Sequence, residues 1–347
     1  MDEKHLNISD VFGQKNTVSI KTNRELWTGA RLDLNWDLSW EYSRTQTIRT
    51  DEKGTPTITN TATGGRIDRS FFTIPPVFIF SIFKSGIEEV GKQYSTLRSN
   101  KGDTRNDALK LAEAFETGFE TLPIFKKLLG SYYPHGNYSF QWDGLEKISF
   151  FEKFASRISF NHSYKSGYSQ TFKGTVDGNT IENQHIDYAF SPLIGFSITF
   201  KELLKGNASA NIKFNTNANY DLTPSTKNIS EGGTQEISVT GSYARSGFEF
   251  PFFGISLKND IDMSFSYSFS KNSKRTYSFG EEINLNGTPG EGSSKTIMEP
   301  RIKYTLSARV TASLFYRYTK TAPDEGGSRI PGSSINEGGV DVKIMIQ

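Results

Sequence analysis

The chain has 347 residues, 35% hydrophobic, 13% aromatic and 22% charged, with a formal net charge of +2. That balance lacks the basic footprint of a nucleic-acid binder, and 27 Phe with 15 Tyr argue against a solvated disordered chain. Cysteine is absent, which excludes disulfides, thiolate metal sites and cysteine nucleophiles. A mean hydropathy of −0.51, with no run of about 18 apolar residues, excludes helical membrane spans. The opening residues Met1 to His5 are too polar for a signal peptide, which reads as either a cytoplasmic chain or part of a longer exported protein.

In chain order, the first strong signal is Ala30 to Ser43. Leu32, Leu34, Trp36, Leu38, Trp40 and Tyr42 alternate there with Arg31, Asp33, Asn35, Asp37, Ser39 and Glu41. Strict alternation of this kind marks a strand with one apolar face. A weaker run covers Ile67 to Ile82. Then the period changes: Ile87–Leu97, and Ala108, Leu111, Ala112, Phe115, Phe119 and Leu122 within Asn106–Leu129, carry helical spacing. Thr104 with Asp107 resembles a capping box, and Gly118 and Pro123 predict a kink or two short helices. Residues 84–135 therefore form a mainly helical insertion, of the kind that serves as a lid, a plug or a partner surface.

Alternation resumes at Ile158–Tyr168, Ile194–Phe200, Ala208–Leu222, Ile261–Phe269, Ile302–Tyr318 and Val340–Ile346, with a weaker run at Ile237–Tyr243. The count is roughly nine strands, several longer than the five or six residues common in globular sheets. A tilted strand needs about 9–11 residues to cross a bilayer. The fold class expected is all-β: an antiparallel transmembrane β-barrel wall segment with one α-helical insertion. Leu34, Leu38, Ile212, Phe214, Phe265 and Leu306 are expected to face lipid, and Asp33, Asp37, Lys213, Ser266 and Arg309 the lumen. The bland alternative is a soluble lipocalin-like binder with the apolar face inward.

Motif chemistry is sparse. His5, His135, His162 and His185 show no ligand spacing, so packed or interfacial roles are expected and no metal. The stretch Gly287 to Lys295 lacks the Gly-Lys of a phosphate loop, and no G-x-S-x-G elbow occurs. No catalytic residue, cofactor site or enzymatic activity is expected.

Specific words then appear. Tyr138 to Phe154 (YSFQWDGLEKISFFEKF), Ser159 to Ser169 (SFNHSYKSGYS), and Ser191, Pro192, Leu193, Ile194 and Gly195 after Phe190 resemble a C-terminal region of the SprA/Sov family. Pro323 to Ser328 (PDEGGS) and Asn336 to Gly339 (NEGG) are similar to it as well. The likeness runs over about residues 65–347. That family is the outer-membrane translocon of the type IX secretion system, associated with gliding motility. The resemblance implies a fragment of a much larger single-chain barrel in the bacterial outer membrane. The partners it implies are outer-membrane lipid, the remainder of the translocon chain, secreted cargo proteins and plug or cap subunits, with no nucleic acid. A self-contained small barrel acting as porin, adhesin or lipid enzyme is the alternative. A periplasmic C-terminus would put the connections Leu222–Gln235 and Phe279–Thr296 inside and the insertion after Ile82 outside.

Overall fold

A computed structural model describes residues 7–50, 55–70, 86–119, 137–175, 178–252, 255–324 and 329–345. Within these, thirteen strands form one antiparallel sheet. In chain order they are β1 (Asn7–Trp27), β2 (Ala30–Thr50), β3 (Pro56–Ser70), β4 (Asn137–Asp143), β5 (Ala155–Thr175), β6 (Gly178–Phe200), β7 (Asn207–Thr223), β8 (Asn228–Phe252), β9 (Ile255–Phe279), β10 (Ile283–Pro289), β11 (Ser293–Ser307), β12 (Val310–Pro323) and β13 (Ser333–Ile344). Helices α1 (Gly86–Ser99) and α2 (Asp107–Phe119) lie between β3 and β4, and a short α3 (Ser149–Glu152) lies between β4 and β5. None of the described helices is long and apolar enough to cross a membrane.

The sheet has eleven lanes, in the order β1-β2-β3-β5-β6-β7-β8-β9-β11-β12-β13. Two lanes are shared. β4 continues the lane of β3, between β2 and β5, and β10 continues that of β11 along β9. Successive lanes alternate in direction. The turns at Thr28–Gly29, Lys201–Gly206 and Ala308–Arg309 and the end of β13 share one edge of the sheet, the near end. The Pro224–Lys227 turn and the start of β1 lie at the far end.

Several expectations change here. The run Ile302–Tyr318 is a hairpin, not one strand, because Ala308 and Arg309 form its turn. Ser307 pairs with Val310 across the two-residue turn, which by itself would swap the phase, and a one-residue bulge between Thr305 and Ser307 swaps it back, so alternation passes through the hairpin unbroken. Arg309 accordingly sits in the turn and not on a strand face. Leu306 stands beside it at a register shift. The stretches Leu222–Gln235 and Phe279–Thr296 are mostly strand, joined by tight turns. They lie at the far end, opposite the end of β13, and not beside it. The helix cap is also relocated: the Leu109 N–H donates to Asn106 Oδ1 at 2.9 Å, so Asn106 caps α2 in place of Thr104. Ile82, Leu122, Pro123 and the segment after Phe119 fall outside the described residues.

The shared lane of β3 and β4 breaks at Ser70 and re-forms at Asn137, and the helical insertion occupies the sequence between. A break inside a sheet strands backbone donors of the flanking lanes. Two side chains take them up. The Asp37 N–H donates to Ser70 Oγ at 3.1 Å, and the Ser166 N–H donates to Asn137 Oδ1 at 2.8 Å. Ser70 is buried, so water does not substitute. Asn137→Ala should cost about 1–3 kcal/mol, read as a lower unfolding midpoint together with faster hydrogen exchange at the Ser166 amide. An unchanged exchange rate there would remove Asn137 from this role.

Candidate functional surface: a two-faced sheet with a docked helical pair

Register decides what the alternation builds. Leu38 pairs with Val18 on β1 and Arg69 on β3. Phe214 pairs with Ile194 on β6 and Ile237 on β8, which in turn meets Phe269 on β9. Met263, Ile302, Leu314 and Val340 form one row across β9, β11, β12 and β13. The apolar sets of all eleven lanes therefore fall on the same face. Leu34, Leu38, Ile212, Phe214 and Phe265 belong to it, while Asp33, Asp37, Lys213 and Ser266 stand on the opposite one.

From the near end, this face is apolar over stretches of seven to nine residues: Ala208 to Phe214 on β7, Ile261 to Phe269 on β9, Ala312 to Tyr318 on β12. Beyond that depth it turns polar on β8, β9, β12 and β13, at Gln235, Lys271, Lys320 and Ser334. On β5 to β7 it stays apolar, at Tyr168, Ile186, Tyr188, Tyr220 and Leu222. Those residues are the part that α1 and α2 cover. Ile87, Val90, Tyr94, Leu111, Phe115 and Phe119 form one buried cluster with them, extending to Ile229, Tyr277 and Phe279. The helix faces left exposed carry Glu88, Lys92, Arg98 and Glu113. The two helices cross closely at Gly118, where a side chain would strike the Val90 backbone nitrogen at 2.7 Å.

Polar groups fix the docked pair. Arg69 pairs with Glu116 of α2 at 2.5 Å and lies 4.8 Å over the Tyr168 ring. The buried Gln184 amide donates to the Tyr168 hydroxyl at 2.8 Å. Glu231 accepts from the Tyr220 and Tyr277 hydroxyls at 2.9 and 2.5 Å. At the tip of the pair, Lys227 of the β7–β8 turn reaches Asp107 at 3.1 Å, and Arg98 donates to the Gly280 carbonyl at 3.3 Å.

The opposite face is a hydrogen-bonded polar surface. Ser19 donates to Asp37 at 2.7 Å, and Asn211 to Ser197 at 2.9 Å. Lys303 pairs with Asp262 at 3.2 Å. Glu299 receives both Arg301 and Arg317, at 3.2 and 2.7 Å, and His185 lies 2.6 Å from Asp221. A depression on this side is lined by Ser197, Ser209, Asn211, Thr240, Ser242, Ser266 and Glu299 among others. The face is therefore locally concave.

The motif Ser191 to Gly195 makes a bulge in β6. Between Phe190, paired with Thr216, and Ile194, paired with Phe214, three residues oppose one on β7. The two extra residues keep parity, so Phe196 and Ile198 stay on the apolar face. The bulge also turns Leu193 into the helix cluster, a role that alternation would have denied an odd-numbered residue. Its carbonyl lies 2.6 Å from His162 Nδ1, whose other ring nitrogen lies 3.0 Å from the Tyr138 hydroxyl. His162 is a packed histidine with both nitrogens engaged. Among the described residues, no three of His, Asp or Glu converge as metal ligands.

The Lys227 ammonium hydrogen-bonded to Asp107 holds that carboxyl below the usual aspartate range, against a smaller opposing effect of burial. With the folded value below the unfolded one, the pair contributes fully above about pH 4 and its contribution fades as pH falls further. It is part-exposed and worth about 0.2–1 kcal/mol. Hydrogen-exchange protection in the first turn of α2 should therefore drop below about pH 4, and Asp107→Asn should lower it at neutral pH and abolish the acid response.

No family model matches this chain, and no curated protein matches it. Among solved structures it is similar to in-vitro folded OmpT, an outer membrane protein of Vibrio cholerae, at TM-score 0.25 and 9% identity over 97% of both chains. The loop L8 deletion mutant of the same protein gives TM-score 0.25 and 10% identity, over 97% of this chain and 99% of that one. Likenesses at this level carry no argument.

Proposed function

We propose that this chain is a wall segment of a bacterial outer-membrane β-barrel, with the apolar face toward lipid and the polar face lining the lumen. The observation that carries the reading is the apolar band itself. Seven to nine residues per strand, with the residues that lead into the near-end turns, approach the 9–11 that a tilted strand needs to cross about 30 Å of hydrocarbon. Strands such as β8 and β9, at 25 residues each, reach about 80 Å at 3.3 Å per residue and project well past it. Where they project, the apolar face is either replaced by polar residues or covered by α1 and α2, as water requires. Aromatic residues cluster at the near end, at Trp27, Phe140 and Trp142, with Trp27 and Trp142 5.3 Å apart.

Lipid offers no hydrogen-bond partners, so a wall in it must close. Among the described residues, β1 and β13 each have one unpaired edge. In an eleven-lane sheet these two strands run in the same direction. Antiparallel closure therefore calls for an odd number of further strands between them, which supports a segment of a larger barrel over a self-contained one. With a near end in the periplasm, the end of β13 lies there and the helical pair lies outside the cell. The resemblance to the SprA/Sov family gives this wall its role: part of a protein-conducting translocon of type IX secretion. A polar, salt-bridged lumen face suits such a pore, since it keeps a wide channel wet.

Two experiments test the reading. Phe265→Arg should cost about 2–4 kcal/mol in a bilayer, whereas Ser266→Arg, one residue along, should cost far less. The reverse order would turn the wall inside out. Cysteines at Val18 and Val340, on the two outermost strands, should give no intramolecular disulfide in the isolated chain, which should instead associate through its edges. A cross-linked monomer that forms discrete ion channels would establish the small closed barrel.

A further inference from the structure

The connection between β4 and β5 is unlike an ordinary strand turn. Leu145 is buried with Ala155 and Ile158, and Phe151 packs with Phe160, Phe196 and Ile198 against them. The connection therefore folds back onto the apolar face at its near end. Glu146 accepts the Ile158 N–H at 2.9 Å and holds it there. What it presents outward is apolar all the same: Phe150 is 69% exposed, Ile148 42% and Phe154 38%. The adjoining β6–β7 turn, tied on by the Lys201 N–H donating to the Phe154 carbonyl at 2.9 Å, exposes Leu204 at 76%. Lys147, Lys153, Lys201 and Lys205 stand exposed among these tips, with Glu152 and Glu202 as the exposed acids.

Apolar tips flanked by lysines, continuous with a lipid-facing band, have the make-up of an interfacial element. Their rings sink to the level of the headgroups while ammonium groups meet phosphates. We propose that Gly144–Phe154 and the Lys201–Gly206 turn form a binding platform for anionic phospholipid in the leaflet at the near end. The proposal rests on the membrane reading above. A protein partner would be expected to seal Phe150 from lipid and water alike.

These 347 residues hold no cysteine, so with any cysteine elsewhere in the assembly replaced, each introduced one carries a nitroxide at a single site. The test uses the assembly that contains the chain, isolated from membranes and reconstituted in phosphatidylcholine vesicles with and without phosphatidylglycerol. A label at Phe265→Cys reports the membrane reading and the folding of every variant. It should be accessible to oxygen and closed to a water-soluble nickel complex. A label at Phe150→Cys should lie at headgroup depth. Spin-labelled phosphatidylglycerol should associate about threefold more than spin-labelled phosphatidylcholine, falling to parity when Lys147, Lys153, Lys201 and Lys205 are changed to Gln. If the label at 265 lies in acyl chains but that at 150 lies in bulk water, the platform alone is overturned. If both lie in water, the membrane reading falls with it. A label at 150 closed to both reagents would assign the rim to a protein partner and overturn the proposal. Equal association of the two lipids before any lysine is changed would overturn it too.

Discussion

Parity is the constraint on which everything else in this molecule depends. A strand presents alternate residues to opposite faces, so a slip of one residue in any lane would send that lane's apolar set to the wrong side. Through the middle of the eleven lanes no such slip survives; the one-residue shifts at Thr47/Ile48, Thr171/Phe172 and Arg245/Phe248 lie toward the strand ends. The two-residue turns between β1 and β2 and between β11 and β12 would each swap the phase, and a one-residue bulge beside each, at Glu25/Trp27 and Thr305/Ser307, swaps it back. The irregularity at Ser191–Gly195 adds an even number of residues and restores the phase at once. The result is a sheet with a single apolar face and a single polar one, which is the arrangement that a bilayer on one side and water on the other would stabilise.

The helical pair follows from the same constraint. Lanes β5 to β7 carry apolar residues well past that band, and in water that surface would be left exposed at about 25 cal/mol per Å². Phe115, Phe119 and Tyr94 cover it, and Gly118 lets the two helices approach closely enough to do so together. The insertion leaves the sheet through a broken lane beside this surface, and Ser70 with Asn137 closes the break by hydrogen bonding the amides it exposes. Pairing of Arg69 with Glu116 and of Lys227 with Asp107 then sets orientation more than strength, since part-exposed pairs contribute little.

Much of this was legible in the sequence, and the failures have physical causes. Leu34, Leu38, Ile212 and Phe265 could be set on one face from spacing alone, because period two is independent of what the strands pair with. The number of strands could not, because the turn Ala308–Arg309 together with the one-residue bulge beside it leaves the alternation intact and hides a hairpin inside one apparent strand. That miscount displaced Arg309 from turn to strand and put the far-end connections on the wrong side of the sheet. β1 escaped notice for a different reason: as an outermost strand it carries Lys15, Asn16, Lys21, Asn23 and Arg24 among few apolar residues. Leu193 is legible only once the bulge is known, since its burial depends on register with β7 and not on its own neighbours in sequence.

The claim that one face meets lipid while the helices cover its extension is tested most directly by a nitroxide scan along β7. Single cysteines from Ala208 to Leu222 would be examined in the membrane assembly for access to oxygen and to a nickel complex. Even positions from 208 to 214 should be open to oxygen and closed to nickel, odd positions open to nickel, and 218 to 222 on the even side closed to both because the helices lie over them. Nickel access at even positions 208 to 214, with oxygen access at the odd ones, would contradict the account.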